Sequence, residues 1–171
     1  MTVANELLTD AIGRVQEVVH EAVDGLGPEQ LAYRADPDAN SIAWLVWHLT
    51  RIQDDHVCGL AEVPQGWTEL GWRDRFALPF PAGATGYGHR RQHVAGLDGT
   101  TADLLLGYYD DVHARTLAFL AGPGGHHLDR VFDTSWDPPV TAAIRLISVV
   151  SDDLQHAGQA AYVRGLLERR G

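Results

Sequence analysis

The sequence predicts an all-α four-helix bundle with a long connection between its second and third helices, and three observations predict it. Four stretches carry apolar residues at steps of three and four, the period of a helix that buries one face. Glycine and proline punctuate the chain between those stretches, and few segments alternate as strands do. The segment from Gly66 to Gly99 sustains no long period, so it forms the crossover in the middle of the bundle.

Each element follows in order. The first helix opens at Thr2 and carries Leu7, Leu8, Ala11, Ile12, Val15, Val18, Val19, Ala22 and Val23, and Gly25, Gly27 and Pro28 end it. The second opens at Asn40 or Ser41, either of which can cap free N–H groups. It runs through Trp44, Leu45, His48, Leu49 and Ile52 to about Leu60, with Gly59, Pro64 and Gly66 at its exit. In the crossover, Pro79, Pro81, Gly83, Gly86 and Gly88 allow only short helical turns. Thr100 or Thr101 caps a third helix holding Leu104, Leu105, Tyr108, Val112, Leu117 and Leu120, which stops at Gly122-Pro123-Gly124-Gly125. The stretch HHLDRVFDTSWDPPV is expected to be a loop with some extended backbone, and the fourth helix runs from about Pro139 to Leu167.

Composition narrows the function classes. With 171 residues, 45% of them hydrophobic, the chain suits one core, so a single domain over 1–171 is expected. No stretch approaches the roughly 18 apolar residues of a membrane span, and the N-terminus lacks the basic-then-apolar order of a secretory signal. A soluble, cytoplasmic protein is the expectation. Cys58 is the only cysteine, which excludes an intramolecular disulfide and a multi-cysteine metal site. Any metal has to be held by histidines and carboxylates. A net charge of -10 without a basic stripe argues against nucleic acid as a partner. The absence of lysine excludes a P-loop lysine, a Schiff base and a lysine general base.

Three residues stand out against the helical stripes. On the last helix Val149, Asp152, His156, Ala160, Val163 and Leu167 fall on one side, mostly apolar, and on the second helix His48 lies between Leu45 and Ile52. A carboxylate and two imidazoles facing a core are costly unless each has a strong partner. Two arrangements provide one. His48 and His156 can be core histidines hydrogen-bonded to Asp152 or to backbone, with Asp152 orienting a ring, or all three can hold a metal ion. Spacing alone favours the first.

The segments SIAWLVWHLTRIQDDH (41–56), LLLGYYDDVHARTLAF (104–119), WDPPV (136–140) and SDDLQHAGQAAYVRGLL (151–167) resemble the DinB-like superfamily, in particular its mycothiol-transferase-like branch. The resemblance spans nearly the whole chain. It implies a four-helix bundle of the DinB-like type whose metal is held by a histidine of the second helix and a pair in the last, here His48 with Asp152 and His156. Aspartate at 152 departs from the histidine or glutamate of many relatives and has a shorter arm. Two imidazoles and one carboxylate leave residual positive charge and an open coordination position. Zinc fits such ligands first, and nickel, iron or manganese are compatible.

His56 lies about 12 Å along the helix axis from His48, too far to join it, whereas His113 stays a candidate fourth ligand. Trp44 is expected to wall the site or fill the core, and Asp55 lies two turns from His48 on nearly the same side. Gln159 is expected to hydrogen-bond a ligand or fill a packing gap. Cys58 is expected as a small buried hydrophobe. The segment from Trp67 to His93 either roofs a substrate pocket or is an ordinary packed connection. Arg73, Arg75, Arg90 and Arg91 either meet an acidic thiol or substrate or are solvated.

The function implied by the resemblance is transfer of a small thiol, mycothiol first, from a metal-bound thiolate to a small electrophilic molecule. The alternatives are a hydrolase using metal-bound hydroxide and a non-catalytic metal- or ligand-binding protein. Relatives of this kind are often dimers, so the resemblance points to a homodimer as an assembly, and despite the superfamily's name it does not imply DNA repair or DNA binding.

Overall fold

The structure, a computed structural model, describes residues 2–170. Helix α1 (Val3–Val23) begins where the Thr2 hydroxyl accepts the Asn5 N–H at 3.3 Å. Its buried face is Leu8, Ile12, Val15, Val19, Ala22 and Val23. Leu7, one position off that face, is 67% exposed. The one-turn helix α2 (Pro28–Leu31) has no counterpart in the sequence expectation, because four residues carry no measurable period. Helix α3 (Ile42–Ala61) is capped by Ser41, whose hydroxyl accepts the Trp44 N–H at 3.2 Å.

The crossover carries the expected short turns: α4 (Gly66–Glu69), α5 (Trp72–Phe76), α6 (Arg91–Val94) and a 3-10 turn at Ala95–Leu97. Helix α7 (Ala102–Ala121) is capped by Thr101, whose hydroxyl accepts the Leu104 N–H. A hairpin follows, β1 (Val131–Asp133) antiparallel to β2 (Val140–Thr141), with Val131 opposite Thr141 and Asp133 opposite Val140. Helix α8 (Ala142–Glu168) begins later than Pro139 because Val140 and Thr141 are paired with β1, and the Thr141 hydroxyl caps the helix.

The four long helices form a bundle in which α3 and α1 each pack against both α8 and α7. Side-chain pairs set their directions. Arg51 meets Tyr108 and Cys58 meets Arg115, so α3 and α7 run parallel. Arg164 reaches the Glu21 and Asp24 carbonyls while Leu8 packs with Leu146, so α1 and α8 also run parallel. Parallel neighbours joined in sequence need a return along the bundle, and the segment from 62 to 101 supplies it.

That return lies against α3, which is therefore buried on every side from Ile42 to Arg51. The main core gathers Val15, Val19, Leu45, Leu49, Leu105, Tyr108 and Ala160. Among the described residues no helix is long and apolar enough to cross a membrane.

Candidate metal centre

Helix α8 buries Leu146, Val149, Asp153, Ala157, Ala160 and Val163. This corrects the expected stripe. The core face passes through Asp153 and Ala157, and Asp152 and His156 sit half-buried one step round the helix. A 100° step per residue separates the two aspartates, so one points inward and the other toward α3. The Asp153 carboxyl has neither oxygen hydrogen-bonded, and burial, with the charge of Asp152 behind it, pushes its pKa well above the carboxylate range.

Three side chains converge between α3 and α8. One ligand-type atom from each of His48, Asp152 and His156 lies within 4.8 Å of the other two. His48 Nε2 is 4.0 Å from Asp152 Oδ2 and His156 Nε2 is 3.7 Å from Asp152 Oδ1, both beyond hydrogen-bond length. The two imidazoles meet nearly edge to face, 4.8 Å between centroids.

The outer nitrogen of each ring decides what the inner one offers. His48 Nδ1 lies 2.5 Å from the Thr85 carbonyl, which can only accept, so the proton sits on Nδ1 and Nε2 keeps its lone pair. His156 Nδ1 donates in the same way to the Gln159 side-chain oxygen at 2.8 Å. Burial also pushes the His48 pKa below its ordinary value and favours the neutral ring. Asp152 Oδ2 is buried and has no hydrogen-bond partner.

Two imidazole lone pairs and a carboxylate thus face one another with no proton between them. No ring nitrogen lies within hydrogen-bond length of Asp152, while the backbone bond of a core histidine is present at His48. Two ligand atoms each about 2.1 Å from one tetrahedral ion lie about 3.4 Å apart, so a set spread over as much as 4.8 Å closes by up to about 1.4 Å to hold one.

The surroundings place the remaining expected residues. Trp44 stacks on His48, 4.7 Å between centroids and 16° from parallel, and meets His156 edge-on at 6.4 Å. It walls the site. The Gln159 side-chain oxygen holds the His156 ring through Nδ1. Asp55 is turned elsewhere: it accepts from Gln65 at 2.6 Å and lies 3.6 Å from His56. His113 stacks beside Tyr109 on α7, within reach of the charges of Asp110 and His20, and does not join the cluster. The reason is topological, since α7 packs on α3 and α1 while the cluster lies between α3 and α8. Cys58 is buried with its thiol donating to Asp54, and burial raises its pKa to about 11, which leaves it protonated. Arg75 lies over the Trp72 ring, 4.3 Å from its centroid, and is exposed to solvent.

A sequence model of the mycothiol S-transferase family matches residues 7–169. The chain belongs to that family. Its structure is also similar to a crystal structure described as the conserved protein of locus from Enterococcus faecalis, with a TM-score of 0.89, 29% identity and 98% of each chain covered. No curated protein is similar enough in sequence to count as a match.

In this mycothiol S-transferase family member, the sequence reading passed over the residues that hold His48 in place. Arg51, fully buried, donates through Nε to the Ala84 carbonyl at 3.1 Å, one residue before Thr85. Its guanidinium is fixed by the Gln65 side chain at 2.9 Å, the Tyr108 hydroxyl at 3.2 Å and Asp54 at 3.6 Å. Asp54 in turn accepts the Gly66 and Trp67 N–H groups. A buried ion pair on α3 therefore anchors the start of the crossover, at Gln65 to Trp67, and its middle, at Ala84 beside Thr85.

Gly86 completes the arrangement, with φ at +98° and a position where a Cβ would lie 2.6 Å from His48 Nδ1. A polar pair three residues apart on a helix, Arg51 and Asp54, was the available sequence signal. Its partners lie in segments whose placement no local pattern gives.

Proposed function

We propose that the chain is a metal-dependent thiol S-transferase acting on a small electrophilic molecule, with His48, Asp152 and His156 holding one divalent ion, zinc first. The observation that carries this reading is the meeting of three lone-pair donors without a proton among them, two of them with outer nitrogens committed to carbonyl-type acceptors. Such a cluster is electrostatically unfavourable by itself and is compensated by a cation. Three protein ligands leave a coordination position free, and the ion supplies there the positive charge that presents a thiol as thiolate at neutral pH.

The protein groups do the rest. The Thr85 carbonyl and the Gln159 side chain keep both Nε2 atoms aimed inward. Trp44 closes one wall and keeps water from the His48 face. Mycothiol is the thiol that the family points to.

Metal analysis of protein purified without chelator is the test. About one divalent ion per chain is expected from the three-ligand set, and it is lost in His48→Ala and in His156→Ala. Full retention in either variant sinks the assignment. Turnover of monochlorobimane with mycothiol and without any thiol then tests the chemistry, and equal turnover without thiol rules out transfer.

A further inference from the structure

Along α8, one turn before Asp152, Ser148 borders a second cleft. Its volume is about 220 Å³ and its walls are Trp136, Val140, Ile144, Arg145 and Ser148. Two of these walls are apolar side chains left open to solvent, Trp136 at 66% and Ile144 at 48%. The fifth group is a cation whose donors are poorly used. Arg145 Nε is buried with no hydrogen-bond partner, and one terminal nitrogen lies 3.5 Å from Asp133 Oδ2, at the long limit for a hydrogen bond.

That contact is a long ion pair, and the other Asp133 oxygen accepts from the Ser135 N–H at 2.9 Å and from the Ser135 hydroxyl at 2.6 Å. The Phe132 ring lies 5.7 Å from the guanidinium and helps to hold it. A guanidinium presents five donors in a planar fork, and one long contact leaves most of them unmatched.

We propose that this cleft seats a small organic acid, a carboxylate or sulfonate on an aromatic or apolar body. The anionic group pairs with Arg145 and the body lies against Trp136 and Ile144. At about 220 Å³ the cleft falls below the size of pockets for whole drug-sized ligands, about 300 Å³ upward, so it suits the smaller of two reactants. Assigning that reactant as the electrophile rests on the transferase reading above; binding of the acid does not.

The test is a titration of benzenesulfonate, an aromatic anion and a poor metal ligand, followed by the Trp136 indole and the Ile144 and Ser148 amide resonances. It is run on zinc-loaded protein and again after chelation. A saturable shift at these positions is expected in both samples. Neutral benzenesulfonamide is expected to bind at least about tenfold more weakly, as is benzenesulfonate to Arg145→Gln, because a charge-assisted contact is lost in each. Trp136→Ala, a change at an exposed residue, is expected to weaken binding as seen by the Ile144 and Ser148 amides. The proposal is overturned by no saturable shift, by equal binding of the sulfonamide, or by equal binding to Arg145→Gln. Zinc content of the same samples reports separately on the metal reading, so a failure of either is told from a failure of the other.

Discussion

Two pairs of histidines lie near each other in this protein, and their local hydrogen bonds give them opposite chemistry. His89 and His93 are four residues apart and stack at 4.8 Å between centroids, a spacing that suits shared ligation better than that of His48 and His156 on separate helices. Yet the Trp44 indole N–H donates to His89 Nδ1 at 3.1 Å and the Arg90 backbone N–H donates to His93 Nδ1 at 2.8 Å. Both donors can only donate, so each Nδ1 keeps its lone pair and each Nε2 of the neutral ring carries the proton. Around His48 and His156 the partners are acceptors and the protons sit the other way. Proximity of imidazoles is therefore not enough to nominate a metal site; the group behind each ring decides which nitrogen is free.

The largest effect expected from this contrast is all or none. His48→Ala and His156→Ala lose the bound ion, whereas His89→Ala and His93→Ala keep it, by metal analysis of each purified variant. Ion loss from His93→Ala equal to that from His156→Ala would break the comparison.

Next in size is the group behind the ring. Gln159→Ala removes the acceptor from His156 Nδ1 and is expected to weaken zinc affinity about 10–100-fold, as loss of an orienting partner generally does. Gln159→Glu keeps an acceptor and is expected to retain the affinity. Competition with a chromophoric chelator measures both, and an unchanged affinity in Gln159→Ala counts against the orienting role.

A smaller effect is expected at the crossover. Gly86→Ala places a methyl group against His48 at a backbone φ of +98°, at a cost of roughly 1–3 kcal/mol of stability. The strain is relieved by moving Thr85 away from His48, so zinc affinity falls as well. Denaturant unfolding with a parallel zinc titration measures both, and a variant as stable and as tight as the wild type would show that this contact is not needed.

How far such features can be read without coordinates depends on their range. The four long helices were legible because each buries a periodic face and each begins at a Thr or Ser that caps it. His48, Asp152 and His156 were legible as odd polar residues at helical spacing, and the structure brings all three together. The assignment of Asp152 and His156 to the core face failed because Asp152-Asp153 are adjacent, and a rotation of 100° decides which aspartate is inside. Thr85, Gly86 and Arg145 stayed invisible. Their roles depend on where an aperiodic crossover and a short hairpin come to rest, which no local pattern specifies.

The smallest prediction concerns pH and returns to the second histidine pair. Burial, with smaller contributions from His93 and His48, lowers the His89 pKa below the ordinary 6.5. The unfolded chain then takes up a proton near pH 6.5 that the folded chain refuses until lower pH, so the unfolded state binds more protons in that window. Stability is complete above about pH 6.5 and declines as pH falls from there through the folded-state pKa. His89→Gln removes this proton uptake and is expected to flatten the slope of unfolding free energy below about pH 6.5, measured by denaturant melts on chelated protein. A slope unchanged by the substitution would mean that burial does not hold His89 neutral, and the distinction between the two pairs would then rest on His93 alone.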